Sequence, residues 1–214
     1  GGVGTHEEHE FLMDHYNVDF VGWGSPFLLV PEVVNVEDDT LDLLARTGEE
    51  GFYLSNVSPL GVPFNTVKGN SAEIEKQDRV EAGKPGAPCL KGHLVFSKEF
   101  TDKPICMASR QYQKLKIEEL RNEKLSLQDF EKSKKKITEK ECLCIGLGNS
   151  LLLKNKIKLY KGISGVTICP GPNTAYFSKI ISLKKMMDHI YGRTNILQRK
   201  DRPHMFIKEL KIYI

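Results

Sequence analysis

GGVGTHEEHEFLMDHYNVDFVGWGSPFLL, residues 1–29, is the stretch whose reading decides the fold. A glycine pair opens it. Thr5 then stands three residues before Glu8, the arrangement of a capping box with Thr5 as N-cap. Phe11, Leu12 and either His15 or Tyr16 follow at helical spacing, which predicts a helix over His6–Tyr16. The apolar run VDFVGWG (18–24) ends in glycines and predicts a buried strand followed by a tight turn.

Glycine pair, helix, strand and second glycine turn are what a barrel of alternating strands and helices produces. Such barrels often bind a phosphate at the loops after the seventh and eighth strands. Two loops must then bring bare backbone N–H groups against the anion, and glycine permits the close approach. Gly1-Gly2 and Gly22-Trp23-Gly24-Ser25 lie one strand–helix unit apart, as that arrangement needs, and the Ser25 hydroxyl offers one more donor.

Further along, EDDTLDLLART (37–47) predicts a helix with acids at its start and Gly48 at its end. GFYLSNV (51–57) predicts a strand. The texture changes at Ser58. Pro- and Gly-rich segments flank one predicted helix at 72–82. Residues 109–141 predict a helical hairpin, or a bent helix with its break near Asn122–Ser126. CLCIGLGNSLLL (142–153) reads as an apolar stretch with a glycine turn, and GVTICPGPN (165–173) as a strand running into a Pro-Gly turn. SLKKMMDHIYGR (182–193) predicts a helix capped by Ser182 and stopped at Gly192.

The chain has 214 residues, 40% of them hydrophobic and 28% charged, an ordinary globular balance. A net charge of +3 does not by itself imply nucleic acid. No apolar run approaches the ~20 residues of a membrane span, so neither nucleic acid nor membrane is an expected partner. Five irregularly spaced cysteines argue against a disulfide framework, and a reducing cytoplasm is the expectation.

On these residues, GGVGT…VDFVGWGSPFLLVPE resembles the last two strands of the FMN-dependent nitronate monooxygenase (2-nitropropane dioxygenase-like) barrels, a family with related flavin enoyl reductases. There a GGI/GGV loop and a later glycine-bearing loop bind the FMN phosphate, and an acid follows, as Glu32 does here. YLSNVSPLGVPFNTVKG (53–69) resembles the segment after the barrel. The resemblance implies an α/β fold: the last strand–helix units of a (β/α)8 barrel over 1–57, then a mostly helical α+β extension over 58–214. It implies an oxidoreductase, a flavoprotein holding FMN through Gly1, Gly2, Gly24 and Ser25 and acting on a nitronate or an enoyl thioester. A full barrel takes ~250 residues. The catalytic base, usually a histidine, is therefore expected upstream of this chain, which alone would be an inactive fragment. Two rivals stand beside this reading. One is another phosphate-binding barrel, similar to inosine-monophosphate dehydrogenase. The other is a non-catalytic interaction module built on 109–141.

Other residues attract weaker functional readings. Cys89, Cys106, Cys142, Cys144 and Cys169 include enough thiols for zinc or an iron–sulfur cluster, but no Cys-x-x-Cys knuckle is present. Small buried hydrophobes are the reading preferred for them, and no metal site is expected. His6 and His9 share a helix face among acids, which favours a solvated surface over a metal site, and His15 follows on the same helix. The basic run at 131–140 is diluted by glutamates and reads as a solvated face. In ICPGPNTAYFS (168–178), Asn173 or Thr174 is placed to cap a following helix. Arg110, Tyr112 and Arg193 are candidate substrate or cofactor contacts that nothing ranks.

Overall fold

Among the residues described by the computed structural model, 2–177 and 179–214 without the Ile212 side chain, helix dominates. The helices are α1 (His6–Tyr16), α2 (Asp38–Arg46), α3 (Ser71–Glu81), α4 (Arg110–Asn122), α5 (Leu127–Thr138), α6 (Leu143–Lys154), α7 (Leu183–Ile190) and α8 (Met205–Tyr213). Strands β1 (Phe52–Ser55) and β2 (Phe64–Val67) pair in a two-stranded sheet. The class is mixed α/β and mostly helical, and these residues close no barrel. The chain divides into two compact units. The first holds Gly1–Leu54, Asn65–Lys68 and Cys169–Ile214, and the second holds Ser55–Phe64 and Gly69–Ile168.

In the first unit α1 starts as its sequence demands, with Thr5 Oγ1 accepting from Glu8 N at 3.1 Å. The second half of the capping box is not made. The Glu8 carboxylate accepts from Gly4 N instead, at 2.9 Å. Asn17 ends α1 in the left-handed region, φ 49°, where its short polar side chain is tolerated. α7 is capped by Ser182 and followed by Gly192 at φ +71°, where a Cβ would meet His6 at 2.5 Å. The core gathers Leu29, Leu44, Tyr176, Phe177 and Met186, all completely buried, and each such side chain contributes about 1.5–3 kcal/mol by leaving water.

The strand expected at 18–24 is not there. The segment is extended but bonded into no ladder, and Phe20 is 84% exposed. An apolar run becomes a buried strand only beside a partner strand, and the only strand pair described lies elsewhere. Gly48 does not end α2 either. Thr47 is the C-cap, and Gly48 is extended at φ −79°.

In the second unit α4 and α5 form the expected hairpin, capped by Ser109 and Ser126 through bonds to Tyr112 N and Asp129 N, both 3.1 Å. The stretch expected to turn at its glycines is instead the continuous helix α6. Gly146 is a close-approach position rather than a turn. Its carbonyl accepts from Thr167 N at 3.0 Å, and a Cβ would run into the Thr167 hydroxyl. Packing thus outweighs the cost of about 1 kcal/mol that a mid-helix glycine carries. The strand expected at 165–173 is extended chain without a ladder. Val166 N donates to Ser71 Oγ at 2.8 Å and Val166 O accepts from Ala72 N at 3.3 Å. Its hydrogen bonds go to the start of α3 and to Gly146 of α6, so no sheet is needed to satisfy them.

Candidate functional site

Two of the residues singled out for phosphate, Gly2 and Ser25, lie at one turn of the first unit. Gly24 precedes a 3-10 turn, Ser25–Leu29, and a second 3-10 turn follows Gly171 over Pro172–Tyr176. Ser25 Oγ occupies the place where a Cβ on Gly171 would be. Gly2, at φ +120°, faces the other end of the same turn, with Asn173 Cβ 3.7 Å from where its own Cβ would sit. The Gly171–Asn173 turn therefore brings Gly2 and Ser25 to one locality. Gly24 is exposed, and nothing lies within 4 Å of a Cβ built on it or on Gly22. Gly1 lies outside the described residues.

Beneath this turn sits a buried ionic network that the sequence did not advertise. The Arg202 and Glu8 side chains are 5% and 6% exposed and bond through two pairs of atoms, at 2.6 and 2.9 Å. Arg202 also donates to Asn173 Oδ1 at 2.8 Å and to Gly2 O at 3.0 Å. Asn173 Nδ2 in turn donates to Val3 O at 2.8 Å, so Asn173 ties down the N-terminal segment rather than capping a helix. A Cβ on Gly4 would meet the guanidinium at 2.6 Å, which is why a glycine stands there. Burial raises the Glu8 pKa, but Arg202 and the Gly4 and Met205 amides more than offset it, and the net direction is down.

His189, also unflagged in the sequence, is buried, with Nε2 2.9 Å from Gly4 O and its ring edge-on to Trp23 and Phe177. The other histidines of the unit are engaged too. His6 Nδ1 lies 2.9 Å from Ile190 O, His9 Nδ1 accepts from Trp23 Nε1 at 3.1 Å, and His15 stacks on Phe11. Glu32 accepts from Leu183 N at 3.0 Å, an anion at the positive end of α7. A cleft of about 460 Å³ opens beside Pro172, lined by Glu49, Phe52, Tyr53, Lys208 and Lys211 among others. Lys208 pairs with Glu49 there. Next to them Tyr176 is pushed up to about 12, by burial first and then by Glu49.

The remaining candidates have structural partners or none. Arg193 pairs with Asp188 at 2.7 Å. Tyr112 donates to Glu99 at 2.6 Å, and burial, then Glu99, pushes its phenol up to about 12. Arg110 opens onto clefts of the second unit lined by Lys84, Lys114 and Arg121 on one side and by Cys89 and Cys106 on the other. The run at 131–140 is largely α5, with Lys134 paired to Glu131 at 3.3 Å. Among the described residues no three His, Cys, Asp or Glu side chains converge as a single metal ion requires. No helix of the described residues is long and apolar enough to cross a membrane. No family model, curated protein or solved structure matches the chain.

Proposed function

We propose that the first unit supplies the phosphate-holding loops of an FMN-dependent oxidoreductase of the nitronate monooxygenase or enoyl reductase type, as the last units of a (β/α)8 barrel. The observation that carries this is the meeting of Gly2 and Ser25 at the Gly171–Asn173 turn, beside open space at Gly24. A Cβ would fill that space, so the chain's own packing does not call for glycine at 22 or 24, whereas an anion laid against the backbone would. Gly2 and Gly24, with Gly1 before them, would offer backbone N–H donors and Ser25 its N–H and hydroxyl. Arg202 is not a phosphate ligand in this reading, because Glu8 and Asn173 already occupy its guanidinium. Bound FMN supplies hydride transfer between a reduced donor and a nitronate or enoyl thioester.

The test is an FMN titration of the protein expressed from its whole gene, wild type against Gly24→Val. Losing one or two charge-assisted hydrogen bonds, at ~1.5–3 kcal/mol each, weakens affinity ~10- to 1,000-fold or more. A folded Gly24→Val protein with undiminished affinity removes this loop from the site. A wild-type protein that takes up no flavin removes the whole assignment.

A further inference from the structure

Arg110, a candidate contact in the sequence, has no part in the flavin reading. It opens onto a cleft of about 400 Å³ that lies wholly within the second unit, between the end of α3, one face of α4 and the last turns of α5. Local sequence builds this cleft. Gly83 turns the chain out of α3 at φ +69°, with Gly83 N donating to Val80 O at 3.0 Å and Lys84 N to Arg79 O at 2.9 Å. Gly86 lets the same turn close on the start of α4, because a Cβ there would meet the Arg110 backbone at 2.7 Å. Along α4, Arg110, Lys114, Ile117 and Arg121 recur at helical spacing and share the face that lines the cleft. Lys134 and Thr138, four apart on α5, complete the wall.

The lining is one-sided in charge. Lys84, Arg110, Lys114, Arg121 and Lys134 set five cations around the cleft, against the single carboxylate of Glu118. Glu118 lies 3.9 Å from Lys114, and Lys134 turns to Glu131 at 3.3 Å. Lys84, Arg110 and Arg121 have no carboxylate partner among the described residues. Like charges gathered in a concave site repel one another and concentrate a field that a bound anion neutralises. α4 adds its own positive end, since Arg110 is its first residue and no acid stands in its first turn. Arg110 and Lys114 are one turn apart, about 6 Å, whereas Arg121 lies roughly 16 Å from Arg110 along the axis. A compact anion therefore reaches the Lys84, Arg110 and Lys114 end, where the guanidinium fork matches phosphate oxygens. The floor is apolar. Ile117 is buried, Val80 and Pro85 are half-buried, and no aromatic ring lines the cleft, which suits an aliphatic body and not a stacked base.

We infer that this cleft binds a small organic diphosphate. Its charge sits at the Lys84, Arg110 and Lys114 end, and its aliphatic body lies on Val80, Pro85 and Ile117. The excess of cations asks for more negative charge than one carboxylate carries, and the volume is that of a small-molecule site. The site belongs to the second unit and does not depend on the flavin reading.

The experiment is calorimetric titration of the full chain, without flavin and at physiological salt, with inorganic pyrophosphate and with a short alkyl diphosphate. Both should bind, and the alkyl diphosphate about tenfold more tightly, the effect of burying about two methylenes. Arg110→Gln and Lys84→Gln, both at exposed side chains, should each weaken both probes about tenfold or more. Lys136→Gln, exposed on α5 outside the cleft, removes the same charge and should change affinity by less than about twofold. Gly24→Val, in the other unit, should leave both probes unaffected, which separates this site from the flavin phosphate. Wild-type protein that binds neither probe at millimolar concentration overturns the inference. So does equal affinity for the two probes, an equal loss in Lys136→Gln, a loss in Gly24→Val, or tighter binding of a single-stranded RNA of the same charge.

Discussion

Replacing Arg202 with methionine isolates one partner of the most buried ion pair in the first unit. The Glu8 side chain, 6% exposed, would keep the Gly4 and Met205 amides, at 2.9 and 2.7 Å, but lose both guanidinium bonds. Leaving one buried charge uncompensated costs about 3–5 kcal/mol, a large share of a typical domain's stability. The pH dependence carries the signature. In the wild type Glu8 is held below its ordinary value of 4.5, so its contribution is present above that value and lost as pH falls through the folded pKa. In Arg202→Met, burial loses its main opponent and the pKa rises. The variant's deficit should then be full at pH 7 and shrink towards pH 4, as the carboxyl takes up a proton. Glu8→Gln combined with Arg202→Met should recover part of the loss at pH 7, because no charge is stranded. Trp23, the only tryptophan, sits against His9 and His189 and reports on this unit in urea unfolding followed by fluorescence. A deficit under about 1 kcal/mol, or one equal at pH 4 and pH 7, would refute the account of a buried, charge-dependent pair.

Other outcomes follow from the same geometry. Gly146→Val, which drives a side chain into Thr167, should cost about 1–3 kcal/mol in thermal unfolding. Gly148→Ala in the same helix, where nothing lies within 4 Å, should stabilise by about 0.4–1 kcal/mol. Tyr112→Phe removes a 2.6 Å bond to Glu99 and should cost about 1.5–3 kcal/mol in denaturant. In a spectrophotometric alkaline titration, Tyr112→Phe and Tyr176→Phe should each remove a phenol that ionises only near 12. Asn17→Ala forces a left-handed residue to carry an ordinary side chain and should destabilise α1 by about 1–2 kcal/mol, while Asn17→Gly should not.

What the sequence made legible was local. Thr5 and Ser182, which read as caps, each bond the amide three residues on, and Ser109 and Ser126 do the same for the two helices of the expected hairpin. The failures share one cause. At 18–24 and 165–173 an apolar run predicts a strand, but strandness is decided by a partner that period and composition do not reveal. The glycines of 142–153 predict a turn, yet Gly146 serves a helix against which Thr167 packs. A glycine that permits a turn and one that permits close approach look the same in a sequence.

The same limit applied to the sites. Arg202 stands 194 positions from Glu8 and sits in a segment, RKDRPH, whose charges read as surface. The carboxylate that pairs with it reads in the sequence only as half of a capping box. The cysteines are scattered in the same way. No two of Cys89, Cys106, Cys142 and Cys144 stand in a Cys-x-x-Cys knuckle, and of the four only Cys89 and Cys106 line a common cavity. Ala87 joins the elements around them. It bonds the start of α4, packs on α6, and lies two residues from Cys89. A larger side chain at 87, which is 2% exposed, should therefore cost about 1–3 kcal/mol in thermal unfolding, through a residue that bears no chemistry of its own.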